Sequence, residues 1–410
     1  MVVTRARTPA LQIDSLVVPA GFLFGSGTAG IKASGNPDVA FAEAPLGASA
    51  AAMFTRNLVC AAPVVVGREH LKRTRGRVRA VIVNAGNANC ATGDAGLRAA
   101  ETTCVSVGEV LSAAPEFIIP SSTGVIGVPL PVAKLTMAVP TILASKADDA
   151  AAVERFARAI MTTDTRPKIA NRTFTSGKQT VSVLGVAKGA GMIHPNMATM
   201  LVYLFTDVDA SPAALKPLLK SAVDKTLNCI TVDGDTSTND TVLLLASGDS
   251  GVALHSTGTA KKFANALENV CASIAEQIVS DGEGVQHVIE LTVAGASSDR
   301  AADQIARTIA HSMLVKTAWA GADPNWGRIV AAVGRSGIKV DPYAIDVRIG
   351  PHIVCRGGMS VAFDQRGAHA EMEKPRYPIE VRVGKGKGTA RLLTCDLTAD
   401  YVRINADYTT

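Results

Sequence analysis

Hydrophobic and β-branched residues gather in short runs along the chain, at 78–84, 180–186, 200–208, 241–246 and 288–293. Runs of this length, bounded by polar or glycine-rich residues, predict strands. Elsewhere the apolar spacing changes to threes and fours. Ser211 and Pro212 supply an N-cap and a first-turn proline, and Leu215, Leu218, Leu219, Val223 and Leu227 then recur on one helical face. Phe263, Leu267, Val270, Ile274 and Ile278 form a second stripe, and a third helix is predicted from 301 to 317 through Ile305, Ile309 and Met313. Strands and helices are interleaved, which predicts an α/β or α+β fold of packed layers. Gly/Asn/Asp-rich loops follow several strands, at 84–96, 121–127, 189–198, 231–240, 281–284 and 321–327. Six polar loops are hard to explain by packing alone, and loops at strand ends are where sites usually sit.

Composition narrows this picture. The length, 410 residues, corresponds to about two or three domains. With 47% hydrophobic but only 4% aromatic residues, the core is expected to pack small and β-branched side chains. Net charge is +5, and basic residues crowd only at Arg68, Lys72, Arg73, Arg75, Arg77 and Arg79. No aromatics interleave with them, so they read as a solvated turn before a strand and not as a nucleic-acid surface. The seven cysteines are odd in number, scattered and without a CxxC pair. They predict free buried thiols in a reducing cytoplasm, with neither a disulfide framework nor a zinc site. The first fifteen residues hold no apolar segment of the kind a secretory signal needs. The longest uncharged apolar stretch, 117–133, carries Pro120, Pro129 and Pro131 and does not read as a membrane helix.

The most informative segment is Lys188-Gly-Ala-Gly-Met-Ile-His-Pro-Asn-Met-Ala198-Thr199, a glycine- and proline-containing loop that ends where a buried strand begins. A hydroxyl residue in that position suits autoproteolysis. The Thr199 hydroxyl can attack the Ala198 carbonyl, and hydrolysis of the ester leaves a new N-terminal threonine. Its α-amine, with a reference pKa of about 7.7–8.0, can act as general base for its own hydroxyl. On the residues alone, the loop is weak evidence and Thr199 reads rather as a simple strand former after a glycine-rich loop. His194, five residues earlier, is read as part of the loop that shapes the bond, not as the base. Asp233, Asp235 and Asp240 lack the glycine and terminal glutamate of a calcium loop, and no metal is implied.

Other blocks accompany this loop: Gly30-Ile-Lys-Ala-Ser-Gly-Asn-Pro-Asp38, Val83-Asn-Ala-Gly-Asn-Ala-Asn89, Ser122-Thr-Gly-Val-Ile-Gly127, Met161-Thr-Thr-Asp-Thr165, and Ile230-Thr-Val-Asp-Gly-Asp-Thr-Ser-Thr-Asn-Asp240. Asp281-Gly-Glu-Gly284, Val315-Lys-Thr-Ala318, Gly321-Ala-Asp-Pro-Asn-Trp-Gly-Arg-Ile329 and Tyr401-Val-Arg-Ile-Asn-Ala-Asp-Tyr-Thr-Thr410 follow. Together they resemble the ornithine acetyltransferase family, the bifunctional glutamate N-acetyltransferase/amino-acid acetyltransferases of arginine biosynthesis. The resemblance spans nearly the whole chain.

The resemblance implies a layered α/β sandwich of the self-processing N-terminal-threonine acyltransferase type, with a second α/β lobe in the C-terminal half. It implies cleavage between Ala198 and Thr199 into an α chain, 1–198, and a β chain, 199–410, a chain boundary and not a domain boundary. Two α and two β chains would form a heterotetramer. The implied reaction moves acetyl from N2-acetyl-L-ornithine to L-glutamate by a ping-pong acetyl-threonine intermediate on Thr199. Some members also use acetyl-CoA as a second acetyl donor; no other cofactor is implied. By the same resemblance Thr123 and Gly124 form the oxyanion hole, and Thr162, Lys188, Thr199, Glu283, Asn405 and Thr410 bind substrate. Thr163 and Thr165 stand beside Thr162, and which hydroxyl reaches the ligand stays open. Arg328 is a further candidate for a carboxylate, and Trp326 reads equally as core. Two other readings remain: a self-processing aminopeptidase or amidase that hydrolyses instead of transferring, and an uncut binding protein on the same scaffold.

Overall fold

The computed structural model describes residues 16–194, 200–254 and 256–407. These divide into two compact units, one of residues 16–228 and 235–278, the other of 229–234 and 279–407.

The first unit is built on β1 (Leu23–Gly27), β2 (Val39–Phe54), α1 (Ala62–Arg73), β3 (Arg77–Asn87), α2 (Gly93–Leu111), β4 (Ile118–Val125), α3 (Val132–Ala144), α4 (Ala150–Ala159), β5 (Lys168–Ser176), β6 (Gln179–Lys188), β7 (Leu201–Thr206), α5 (Pro212–Lys225), β8 (Thr241–Ala246) and most of α6 (Thr257–Ser280). Its sheet runs β4-β3-β2-β8-β7-β6-β5, with β1 paired to β2. The long β2 serves both halves: residues 39–49 pair with β3 and residues 49–54 with β8. Every residue of β7 and β8 is buried, so both faces of the sheet are covered there. Alternation along β3 sorts the two sides. Val81 and Val83 join a cluster with α4, whereas Ala80 and Ile82 join one with α2 and α3. α6 crosses β6 at Gly185, where a Cβ would stand 2.6 Å from Val270 and 3.3 Å from Ile274.

The core is less uniform than its composition suggests. Phe205 sits edge-on to Phe24 at 4.9 Å, to Phe22 at 5.2 Å and to Phe156 at 6.3 Å between ring centroids. A cluster of aromatics thus packs under β1 and α4, where edge-to-face pairing adds to burial.

The second unit contains β9 (Val288–Ala296), α7 (Asp299–Ala310), α8 (Met313–Ala320), α9 (Trp326–Gly334), β10 (Asp346–Ile349), β11 (His352–Arg356), β12 (Met359–Ser360), α10 (Gln365–Met372), β13 (Arg376–Arg382), β14 (Gly388–Cys395) and α11 (Ala399–Asp407). The sheet order is β12-β11-β10-β13-β9-β14. β13 alternates strictly between exposed and buried residues, so one face packs on helices and the other is open. The open face carries a cross-strand charge row in which Glu290 pairs with Arg376 at 2.6 Å and Arg391 at 2.9 Å.

The α/β architecture, with a second lobe in the C-terminal half, is as expected. Three local expectations change. The strand expected at 200–208 is confined to β7. The polar runs 84–96 and 121–127 are not wholly loops, because β3 extends to Asn87 and β4 carries Ser121 to Val125 within the sheet. The helix expected at 301–317 is two helices. α7 ends at Ala310, where the His311 ring bonds the Thr231 hydroxyl at 3.1 Å, and Ser312 restarts the chain by accepting the Lys316 N–H. The break re-phases the helix: Val315, Lys316, Ala318 and Trp319 turn inward, and Met313 is 72% exposed instead of continuing the buried stripe. The basic run expected as a turn before a strand is a turn only at Arg75: Arg68, Lys72 and Arg73 lie on α1, and Arg77 and Arg79 on β3.

Phe205→Ala removes the ring on which three others lean. It is expected to cost about 3–5 kcal/mol of unfolding free energy, measured by denaturant titration.

Candidate active site

Thr123 and Gly124 lie at the end of β4, beside Gly86 and Asn87 of the parallel β3. Gly124 has φ +132°, and a Cβ there would fall on the Gly86 carbonyl carbon and the Asn87 nitrogen. Only glycine fits, because both the backbone conformation and the strand approach exclude a side chain. Asparagines and a serine brace this strand end. Ser122 donates to Asn84 Oδ1 at 2.6 Å, Asn84 donates to the Asn87 carbonyl at 2.8 Å, and Asn239 donates to the carbonyls of Ala88 at 2.6 Å and Ser122 at 2.8 Å. The Asn-rich block at 83–89 therefore satisfies buried backbone groups around Thr123.

Lys188, the last residue of β6, reaches this point: its Nζ donates to Thr123 Oγ1 at 3.1 Å. Their strands are separated by four others in the sheet order. The residue that sets Lys188 in place is Asp164. Its carboxylate is fully buried, and Oδ1 accepts from Lys168 Nζ at 2.6 Å and from the Gly189 N–H at 2.7 Å. Oδ2 accepts from the Thr162 N–H at 3.0 Å. Burial alone would raise the Asp164 pKa, but the charges of Lys168 and Lys188 and the bonds from Lys168 and Gly189 outweigh it and hold the carboxyl well below its usual range. One carboxylate thus ties together Thr162, the residue after Lys188, and a buried ammonium. Thr162 and Thr163 are half-buried and Thr165 is exposed.

Asp240, immediately before β8, is 1% exposed. Its carboxyl takes hydrogen bonds from the Ser237 side chain and the Met200 backbone, and its Oδ2 has no partner among the described residues. Burial pushes its pKa well up, against the pull of Ser237, Lys188 and Met200. No group of three metal-ligating side chains occurs among the described residues. The carbonyl of His194 accepts from Thr236 at 3.1 Å, which ties the loop preceding the 195–199 segment to the 235–240 stretch.

In the second unit Glu283 follows the end of α6, and its Oε2 accepts from Asn405 Nδ2 of α11 at 2.8 Å. Asn405 also donates to the Tyr401 carbonyl at 3.0 Å. The candidates therefore fall into two groups: Thr123, Gly124, Thr162 and Lys188 in the first unit, Glu283 and Asn405 in the second. Ala198, Thr199 and Thr410 lie outside the described residues. Arg328 is occupied locally, donating to the Leu314 carbonyl at 2.7 Å, and Trp326 packs against the core.

The family model for the ArgJ family matches residues 23–410. The chain is 45% identical over 395 residues to the arginine biosynthesis bifunctional protein ArgJ of Methylococcus capsulatus, covering 95% of this chain and 96% of that one. Against the protein of the same name from Thermosynechococcus vestitus it is 45% identical over 401 residues, covering 93% and 95%. The chain belongs to the ArgJ family. It is an acetyltransferase of arginine biosynthesis. Among solved structures, one described as ornithine acetyltransferase complexed with ornithine, from Mycobacterium tuberculosis, is 39% identical, covers 44% of this chain and 94% of its own, and has a TM-score of 0.39. No helix among the described residues is long and apolar enough to cross a membrane.

Within this ArgJ-family site, the residues alone did not single out Asp164, and Asp240 entered only as part of an acidic run that implies no metal. Asp164 stands inside the quoted Met161–Thr165 block, yet its importance depends on Lys168 and Gly189, which come to it through the fold.

Asp164→Asn leaves the Lys168 ammonium buried without its counter-charge, which is expected to cost about 3–5 kcal/mol. Because the folded pKa of Asp164 is depressed below the unfolded value of about 3.9, its stabilisation is complete above about pH 5 and is lost as pH falls toward the folded pKa. Urea unfolding of wild type and variant should differ equally at pH 7 and pH 5, and the difference should begin to shrink at pH 3, where the unfolded-state carboxyl is protonated but the folded-state one still is not. A difference that grew toward pH 3 would contradict this assignment.

Proposed function

We propose that the protein transfers acetyl from N2-acetyl-L-ornithine to L-glutamate through an acetyl ester on Thr199, after cutting itself between Ala198 and Thr199. The observation that carries the proposal is the contact between Lys188 and Thr123. Lys188 donates to Thr123 Oγ1, so the threonine's own proton is directed elsewhere, toward an acceptor. Paired with the Gly124 N–H, that hydroxyl is suited to an oxyanion, and donors of this kind are each worth about 10²–10³ in rate.

The chemistry then needs no further cofactor. The Thr199 hydroxyl adds to the acetyl carbonyl carbon, its proton passing to the Thr199 α-amine. The carbonyl oxygen takes the negative charge. Collapse breaks the C–N bond, and ornithine leaves with that proton on its amine. The glutamate amine then attacks the ester carbonyl and gives up a proton to the Thr199 α-amine; that proton passes to Thr199 Oγ as the C–O bond breaks, which releases N-acetylglutamate and restores the hydroxyl. Substrate carboxylate would pair with Lys188, Thr162 would contact the bound molecule, and Glu283 and Asn405 would take the ornithine ammonium and its neighbourhood. Thr410 would complete the set. The fragments 1–198 and 199–410 would remain together, two of each forming a heterotetramer in the cytoplasm. Acetyl-CoA would serve as a second donor.

Intact mass of the purified protein, before and after incubation with N-acetylornithine, tests this directly. The expected result is two fragments meeting at Ala198/Thr199, with one acetyl group gained by the fragment that begins at Thr199 and lost again on adding glutamate. Loss of the acetyl group without glutamate, as free acetate, would favour a hydrolase. A single unmodified chain would remove the threonine mechanism altogether.

A further inference from the structure

Lys32 is a half-buried cation that enters none of the ion pairs of the described residues. Its Nζ donates to two neutral carbonyls, of Pro37 at 2.7 Å and Ala159 at 3.0 Å. A lysine ammonium has three donors, so one remains. Asp38, six residues on, is fully buried but not available to it. Both Asp38 oxygens are taken by the backbone N–H groups of Ala29, Ile31 and Lys32. Burial lowers the Lys32 pKa, against the pull of Asp38 and Asp164 and with the push of Lys188.

The position of this charge matters more than its isolation. Lys32 lies across Gly86: a Cβ there would stand 3.0 Å from Lys32 Cγ and 3.3 Å from its nitrogen and Cα. Gly86 is the register partner of Gly124. Through Ala159 at the end of α4, Lys32 is also tied to the segment that leads into Thr162. The fields of three ammonium groups, Lys32, Lys168 and Lys188, converge on the one carboxylate of Asp164, and Lys168 already neutralises it. The Lys32 ammonium thus keeps one donor next to Gly86, the register partner of Gly124, and enters no ion pair with the carboxylates of Asp38 and Asp164 that attract it. A partly buried ammonium held only by neutral carbonyls is costly unless an anion supplies a bonded counter-charge.

We infer that Lys32 is a second cationic contact, beside Lys188, for the α-carboxylate that the acetyl donor and the acetyl acceptor have in common. The inference rests on the function proposed above for the identity of the ligand. It assigns to Lys32 a role in binding both substrates, and none in the bond-making steps.

The test is Lys32→Gln, which keeps two N–H donors on a side chain one bond shorter and removes the charge. Calorimetric binding of L-ornithine and of L-ornithinamide, which lacks the carboxylate, is compared in wild type and variant; neither probe carries an acetyl group to transfer. Lys32→Gln should weaken L-ornithine by about tenfold or more, the worth of a charged hydrogen bond, and leave L-ornithinamide unchanged. In turnover, KM for N-acetylornithine and for glutamate should both rise while kcat holds. Equal weakening of both probes would reduce Lys32 to a structural clamp on α4 and overturn the inference. So would unchanged binding of L-ornithine in a variant with wild-type thermal midpoint. Failure of the wild type to move acetyl to glutamate is a separate result: it would defeat the proposed function, while the two-probe comparison still reads the carboxylate contact.

Discussion

The buried ion pair between Asp164 and Lys168 is the constraint on which the first unit's site depends. Removing two charges from water is expensive, and attraction offsets that expense only when the geometry is good and the remaining lone pairs are filled. Asp164 meets the condition by accepting two backbone N–H groups as well as the ammonium. Those two amides belong to Thr162 and to Gly189, next to Lys188. The need to satisfy one carboxylate therefore fixes the end of the α4 segment and the end of β6 relative to each other. Lys188 is aimed at Thr123 as a consequence.

Much of the polar chemistry around this point is structural in kind. Asn84, Asn87, Asn89 and Asn239 spend their side chains on backbone carbonyls at and just beyond the ends of β3 and β4 and, for Asn89, in the first turn of α2. Such a network braces the end of β4, where the Thr123 hydroxyl accepts from Lys188. Asp240 is different. Its carboxyl is buried at the head of β7 beside the Met200 backbone, and burial pushes its pKa well up against the pull of Ser237, Lys188 and Met200.

Periodicity made the frame legible. The stripe from Phe263 to Ile278 is buried along its length, and the run at 241–246 is a strand with those bounds. Legibility failed where a partner distant in sequence decides the outcome. Nothing near Met313 signals that the helix must restart at Ser312; the cause is the His311–Thr231 bond and the buried Lys316, whose Nζ donates to the Cys395 carbonyl. Likewise Thr123 reads as a turn residue because Ser, Thr and Gly are turn formers. The asparagines that let those residues continue a strand are distant in sequence. Of the candidate site, the block matches marked Thr123, Gly124, Thr162, Lys188, Glu283 and Asn405, and the fold brings together Lys188 with Thr123 and Glu283 with Asn405. Asp164 and Lys32 carried no local signal, because a lone acid and a lone base acquire meaning only from the charges placed around them.

The close approach of Gly86 and Gly124 has an evolutionary corollary. Most steric conflicts in proteins can be relieved by shrinking the opposing side chain, so substitutions can arrive in compensating pairs. Here a side chain on Gly124 meets main chain, and no change of residue at position 86 can make main chain smaller. The two positions cannot drift together, and neither can serve as a stepping stone for the other. Change at this point is therefore left to the side chains that surround the two glycines, while the glycines themselves stay fixed.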